Sequence, residues 1–107
     1  MLKKRIEFTD FPIDQNESSL KCPNCGSNYL QHSMVHVFNR REDSKTGQHF
    51  KIIGESVVLD DEMLGNPSNR REGLMIHFNC EGCDAAIFMS ISQEKGRTQI
   101  WMDWHKR

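Results

Sequence analysis

Four cysteines stand in two pairs of identical spacing, Cys22-Pro23-Asn24-Cys25 and Cys80-Glu81-Gly82-Cys83. Thiolates three residues apart converge on one ion when a tight turn carries them, and two such pairs complete a tetrahedral sulfur shell. Gly26 and Asp84 follow the pairs as turn residues, and Pro23 suits the first turn. The chemistry expected of Cys22, Cys25, Cys80 and Cys83 is therefore binding of one zinc ion. Four protein ligands leave no position for a substrate, so that zinc is structural rather than catalytic. Dithiol redox chemistry is the competing use of Cys-x-x-Cys, but it sets the pair between a strand and a helix. Both pairs here lead into strand-like sequence.

The other residues that could do chemistry form no catalytic set. His32 and His36 are expected on one strand face, and His77 precedes the second cysteine pair. With His49 and His105 they could form a second metal site or an acid–base group. No carboxylate stands at a telling spacing, and His-Glu-x-x-His is absent. Surface or half-buried strand histidines are the simpler expectation. No nucleophile–base pair or glycine-rich phosphate loop is evident, so the chain does not read as an enzyme.

An internal echo does stand out: Asn39-Arg40-Arg41-Glu42 recurs as Asn69-Arg70-Arg71-Glu72. Arginine pairs in loops engage phosphates or carboxylates bidentately. If the two loops share one end of the sheet, Arg40, Arg41, Arg70 and Arg71 make a local basic patch. Alternatively, Glu42, Asp43 and Glu72 neutralise the patch, or ion pairs pin the loops. Trp101 and Trp104, three apart, face opposite sides of a strand. One packs in the core, and the other is a candidate contact residue. Trp104 is taken with the four arginines as the candidate partner-binding set. The tail His105-Lys106-Arg107 is basic.

These residues must be positioned by strands, since no convincing 3.6-residue period occurs. Tyr29–Phe38 alternates and is rich in β-branched and aromatic residues. A charged loop, Asn39–Gln48, leads to a second strand, Phe50–Leu59, with Gly54 as a bulge. The two strands are expected to pair as a hairpin. Asp60–Gly73, broken by Gly65-Asn66-Pro67-Ser68, reads as a loop. Leu74–Asn79 enters the second cysteine pair, Ala85–Ser92 leaves it, and Gln93-Glu94-Lys95-Gly96 turns with a left-handed glycine into Arg97–Trp104. The 54 residues at 26–79 between the pairs exceed the roughly 15–20 of simple ribbons. The fold class is mostly β: an elaborated zinc ribbon, an antiparallel meander with two cysteine knuckles and an inserted hairpin. Its second knuckle is expected to join two strands of a three-stranded sheet. Residues 1–20 read as an N-terminal arm, flexible or a peripheral strand on which Ile6, Phe8 and Phe11 dock; 21–107 form the zinc-ribbon domain.

Composition bounds the partners. At 107 residues and 36% hydrophobic, the chain is one domain with a modest core that a metal would staple. Structural zinc supplies on the order of 10 kcal/mol in small finger peptides, so losing one cysteine should unfold much of the domain. The formal net charge is -1, and four thiolates with Zn²⁺ bring it to about -3. That leaves no global basic field for nonspecific nucleic-acid binding, although a local patch survives the argument. The start shows no apolar segment of a signal peptide, and no stretch nears the roughly 18 apolar residues of a membrane span. The expectation is a cytoplasmic protein without a membrane partner, where thiols stay reduced.

The sequence resembles a family of small zinc-ribbon proteins of bacteria and their phages that has no established activity. The resemblance rests on Cys22-Pro23-Asn24-Cys25-Gly26, on 37–44 with Gly47, on 65–74, on 76–83, and on Gln93–Thr98 before Trp101. It covers most of the chain from Cys22 onward. It implies the zinc site and draws attention to the two arginine segments, but implies no function. The leading expectation is a non-enzymatic binding module whose arginine loops contact nucleic acid, by fold-level analogy with ribbons of transcription machinery. The alternative is a protein-binding module, a phage-type modulator of a host protein, or a homodimer.

Overall fold

Alternating apolar and polar side chains, with β-branched residues and short turn sequences between them, make this chain a sheet. The structure, a computed structural model, describes residues 4–14 and 19–107. Its strands are β1 (Lys4–Glu7), β2 (Ile13–Asp14), β3 (Ser19–Leu20), β4 (Leu30–Asn39), β5 (Gln48–Ile53), β6 (Ser56–Asp60), β7 (Gly73–Cys80), β8 (Ala85–Glu94) and β9 (Arg97–Lys106). Among the described residues the helical content is a 3₁₀ turn at Phe8–Asp10. Seven strands form one antiparallel sheet in the order β1-β9-β8-β7-β4-β5-β6, and β2 pairs with β3 separately.

The mostly-β antiparallel architecture is the expected one, but the sheet is larger than three strands. β7 inserts between β4 and β8, which places the β5–β6 hairpin outside β4 in the same sheet. The run at 50–59 is two strands rather than one. Gly54, at φ +57°, turns the chain with Glu55, and Ile53 pairs with Ser56. A two-residue turn that needs positive φ explains this glycine better than a bulge does. At the other hairpin Glu94 pairs with Arg97 around Lys95 (φ 50°) and Gly96 (φ 78°). Two positive angles in succession are the type I′ signature, matched to the twist of the strands.

A bulge does occur, in β4. Leu30 and His32 pair with Cys80 and Phe78, but Met34 and His36 pair with His77 and Met75. The slip at Ser33 reverses which face each side chain takes. His32 and His36, expected on one face, therefore lie on opposite ones.

Register assigns the two faces. On one lie Trp104, Met102, Ile87, Met89, Phe78, Ile76, Leu74, Val37, Val35, Phe50, Ile52, Leu59 and Val57. The cysteine knuckles pack on one end of this face, where Cys22, Ala85, Ile87, Met102 and Trp104 form the buried core with Ile6, Phe11, Leu20 and Leu30 against it. On the opposite face lie His36, Phe38, His49, His77, Phe88, Asp103 and Trp101. The loop at 61–72 returns across that face. A Cβ built on Gly65 would stand 4.0 Å from the Phe38 ring, Asn66 and Pro67 stand over Gly73, and buried Ser68 donates to the Gln93 carbonyl at 2.8 Å.

In the described part of residues 1–20, β1 pairs along β9, and Ile6 and Phe11 pack on the core. Phe8 stays exposed, edge-on to Phe11. The flexible-arm expectation for residues 1–3 and 15–18 lies outside the described residues.

Candidate functional site

The four cysteines meet. One sulfur from each of Cys22, Cys25, Cys80 and Cys83 lies within 4.8 Å of every other. Cys22 and Cys83 Sγ are 3.6 Å apart, and Cys25 and Cys80 Sγ 3.5 Å. Tetrahedral ligation with bonds of about 2.3 Å puts sulfurs about 3.8 Å apart, so the cage fits one ion with small adjustment.

Backbone geometry makes this cage. In each knuckle the N–H two residues beyond the first cysteine donates to its sulfur: Asn24 to Cys22 at 3.4 Å, Gly82 to Cys80 at 3.3 Å. Gly26, at φ +80°, closes the first turn by donating to the Cys22 carbonyl at 2.9 Å. The second knuckle joins β7 to β8 directly, and Glu81 N–H ties it to the Tyr29 carbonyl at 3.1 Å. A Cβ on Gly82 would stand 3.1 Å from both Cys25 Sγ and Ser27 Cβ, so only glycine lets the knuckles close without a shift.

The electrostatics suit thiolate chemistry unevenly. Burial pushes the Cys22 thiol up to about 12, against donation from the N–H groups of Cys25 and Asn24. The Asn24 side-chain amide, 3.3 Å from Cys83 Sγ, and then the Ala85 N–H hold Cys83 down to about 7. Asn24 thus carries a role that Cys-x-x-Cys spacing does not reveal. A cation in the cage replaces the protons and removes the cost of a buried thiolate. The donor set is a closed sulfur shell suited to a thiophilic metal.

The two arginine segments also meet, at one end of the sheet, where Asp43 N–H donates to the Arg70 carbonyl at 2.9 Å. Three of the four guanidiniums are engaged internally. Arg40 donates to the carbonyls of Ser68 (2.8 Å), Arg71 (3.1 Å) and Ser44 (3.3 Å). Arg70 grips Asp43 bidentately at 2.7 Å twice and reaches Glu42 at 3.1 Å. That grip holds the Asp43 carboxyl below its ordinary range. Arg71 lies 3.6 Å from Glu72 and 3.9 Å from Glu42, and Arg41 is exposed. The patch works as a clasp between the two loops.

Trp104 is not presented to a partner. It is 8% exposed and sits in the core beside Ile87 and Met102. Trp101, on the opposite face, donates its indole N–H to Asp103 at 3.2 Å beneath the Arg5 guanidinium.

A file of polar rings crosses the histidine face. His49 donates from Nδ1 to Asp60 at 2.8 Å, which leaves its Nε2 to accept from His36 Nδ1 at 2.9 Å. His77 lies 5.1 Å from His36, ring to ring, and meets Phe88 edge-on, and Phe88 stacks on His105. Burial first, then the neighbouring His77 and His49, bring His36 down to about 4, and burial lowers His77. Among the described residues no serine or cysteine hydrogen-bonds to these rings, and His77 Nε2 is buried without a partner. The file is an array of hydrogen-bonded and stacked rings anchored by one carboxylate. Its members sit on six strands, β4 to β9, so linear spacing could not bring Asp60 to His49.

No protein-family model, curated protein or solved structure matches this chain. No helix among the described residues is long and apolar enough to cross a membrane.

Proposed function

We propose that the protein is a zinc-stabilised, non-catalytic β module whose work is to hold a partner protein against its sheet. Zinc, rather than another thiophilic ion, is favoured by the tetrahedral spacing of four cysteine sulfurs. The observation that carries the reading is the cysteine face beyond the knuckles. There Val35, Val37, Phe50, Ile52, Val57, Leu59, Leu74, Ile76 and Ile91 share one surface by register. The described knuckle residues pack at the opposite end, and Val57 and Leu59 remain 63% and 58% exposed. Contiguous exposed apolar surface of this kind marks protein association.

Nucleic-acid binding through the arginine loops draws less support, because Arg40 and Arg70 already spend their donors within the protein. The test compares the metal-loaded wild type with Leu74→Ser, each titrated with labelled DNA and RNA and each used as bait at high salt. A protein retained by the wild type, lost from the variant and not replaced by nucleic acid supports the reading. Steeply salt-dependent nucleic-acid binding that Leu74→Ser leaves intact would overturn it. Metal analysis giving one zinc per chain tests the cofactor.

A further inference from the structure

We propose that β6 takes up an extended segment of the partner as an added strand, and that this segment carries lysine or arginine at both ends of an apolar-alternating core. The inference rests on the protein-binding reading and specifies the place and chemistry of contact.

β6 is the outermost strand of the sheet beyond β5. Its ladder to β5 starts at the two-residue turn, where Ile53 faces Ser56. The pair that closes such a turn is hydrogen-bonded, and bonded pairs then alternate. Ser56, Val58 and Asp60 therefore point their backbone groups at β5, and Val57 and Leu59 point theirs outward. All five residues of β6 are exposed. Val57 and Leu59 project on the cysteine face, and Val58 projects on the other opposite Lys51. Proteins usually blunt such an edge with proline, a bulge or a lysine within the strand; Ser56-Val57-Val58-Leu59-Asp60 has none of these. An open ladder with apolar side chains on both faces is the receptor half of strand addition.

Charge selects the occupant. Glu55 precedes the strand, and Asp60, Asp61 and Glu62 end it. Asp60 is committed to His49, and Glu55 and Asp61 are exposed. A second copy pairing antiparallel over the whole strand would place Val58 against Val58 and Glu55 against Asp61 at each end. Like charges directly opposed disfavour that pairing. A segment with cations at those two positions converts both contacts into attractions. Glu55 to Asp61 covers about 20 Å at about 3.4 Å per residue, so a partner segment of about seven residues sets its end cations opposite both acids.

Two labelled peptides test this on the metal-loaded protein, Lys-Thr-Val-Thr-Val-Thr-Lys and Glu-Thr-Val-Thr-Val-Thr-Glu, with amide NMR shifts as the readout. The lysine peptide should move the Val57 and Leu59 amides and bind at least about fivefold tighter than its glutamate counterpart. Val57→Pro should abolish that binding while leaving metal content and melting unchanged, because the lost N–H points outward. The double variant Glu55→Lys, Asp61→Lys should reverse the peptide preference. Equal binding of both peptides, shifts confined to other strands, or retention of binding in Val57→Pro would overturn the proposal, as would concentration-dependent self-association that Val57→Pro abolishes. A partner captured by the wild type and by Val57→Pro but not by Leu74→Ser would sink the edge contact and leave the protein-binding reading standing.

Discussion

Replacing Arg40 by alanine should destabilise the protein more than any other arginine substitution in the paired loops. Its Nε, Nη1 and Nη2 each donate to a different carbonyl, those of Arg71, Ser44 and Ser68. Two of these belong to the loop at 61–72 that covers the histidine face. At about 1 kcal/mol net per part-buried bond, Arg40→Ala costs about 3 kcal/mol. Arg40→Lys keeps the charge but cannot fork to three acceptors, so it recovers about a third of that loss. Exposed Arg41→Ala should stay within about 0.5 kcal/mol of wild type. Urea unfolding of the metal-loaded proteins, followed by tryptophan fluorescence, reads all three. If Arg40→Ala and Arg41→Ala unfold at the same urea concentration, the clasp has no energetic content and the reasoning from these distances is wrong.

Cys83→Ser should abolish stoichiometric metal binding and disorder the core around Cys22, measured by metal analysis and by loss of near-UV circular dichroism. Gly82→Ala should bind metal at least about tenfold more weakly, because its methyl meets Cys25 Sγ at 3.1 Å; chelator competition gives the ratio. His36 is neutral when folded at pH 7, with its pKa near 4 against an ordinary value of 6.5. The unfolded chain therefore takes up the proton first, and the protein loses stability as pH falls from about 6.5 toward 4. After allowance for solvent screening the loss is about 1–2 kcal/mol. Metal-loaded His36→Gln, compared with wild type across that window, should show a shallower slope; parallel slopes would remove His36 from the account.

The cysteine cage was legible because ligand spacing is a local property, and so were the strands at 30–39, 73–80 and 85–94, whose alternation is also local. What failed needed register or partners distant in sequence. The slip at Ser33 adds one residue to β4 and leaves no signature in composition, yet it separates His32 from His36. A glycine inside an apolar run serves a bulge or a turn equally well, and only the Ile53–Ser56 pairing decides for Gly54. The arginine echo was visible, but the carbonyls that occupy Arg40 come from 28 and 31 residues away. Asp60 reaches His49 across a hairpin whose turn was not recognised, and so the polar file went unread. Trp104 looked like a contact residue because two tryptophans three apart must split between faces; which face is the core depends on where the knuckle packs.

The separation of the cysteine pairs also sets a schedule. Cys80 follows Cys25 by 55 residues, and at 5–20 residues per second a ribosome takes roughly 3–11 s to make that stretch. Throughout that interval the nascent chain holds half a cage, two thiols with nothing to complete them. β4, β5 and β6 are made during that interval, and β7, which must lie against β4 to bring in the other half, is its last strand. An ion held by all four sulfurs can therefore enter only after β7 has been made. Oxidation of the early pair during the wait would strand the molecule before it could close.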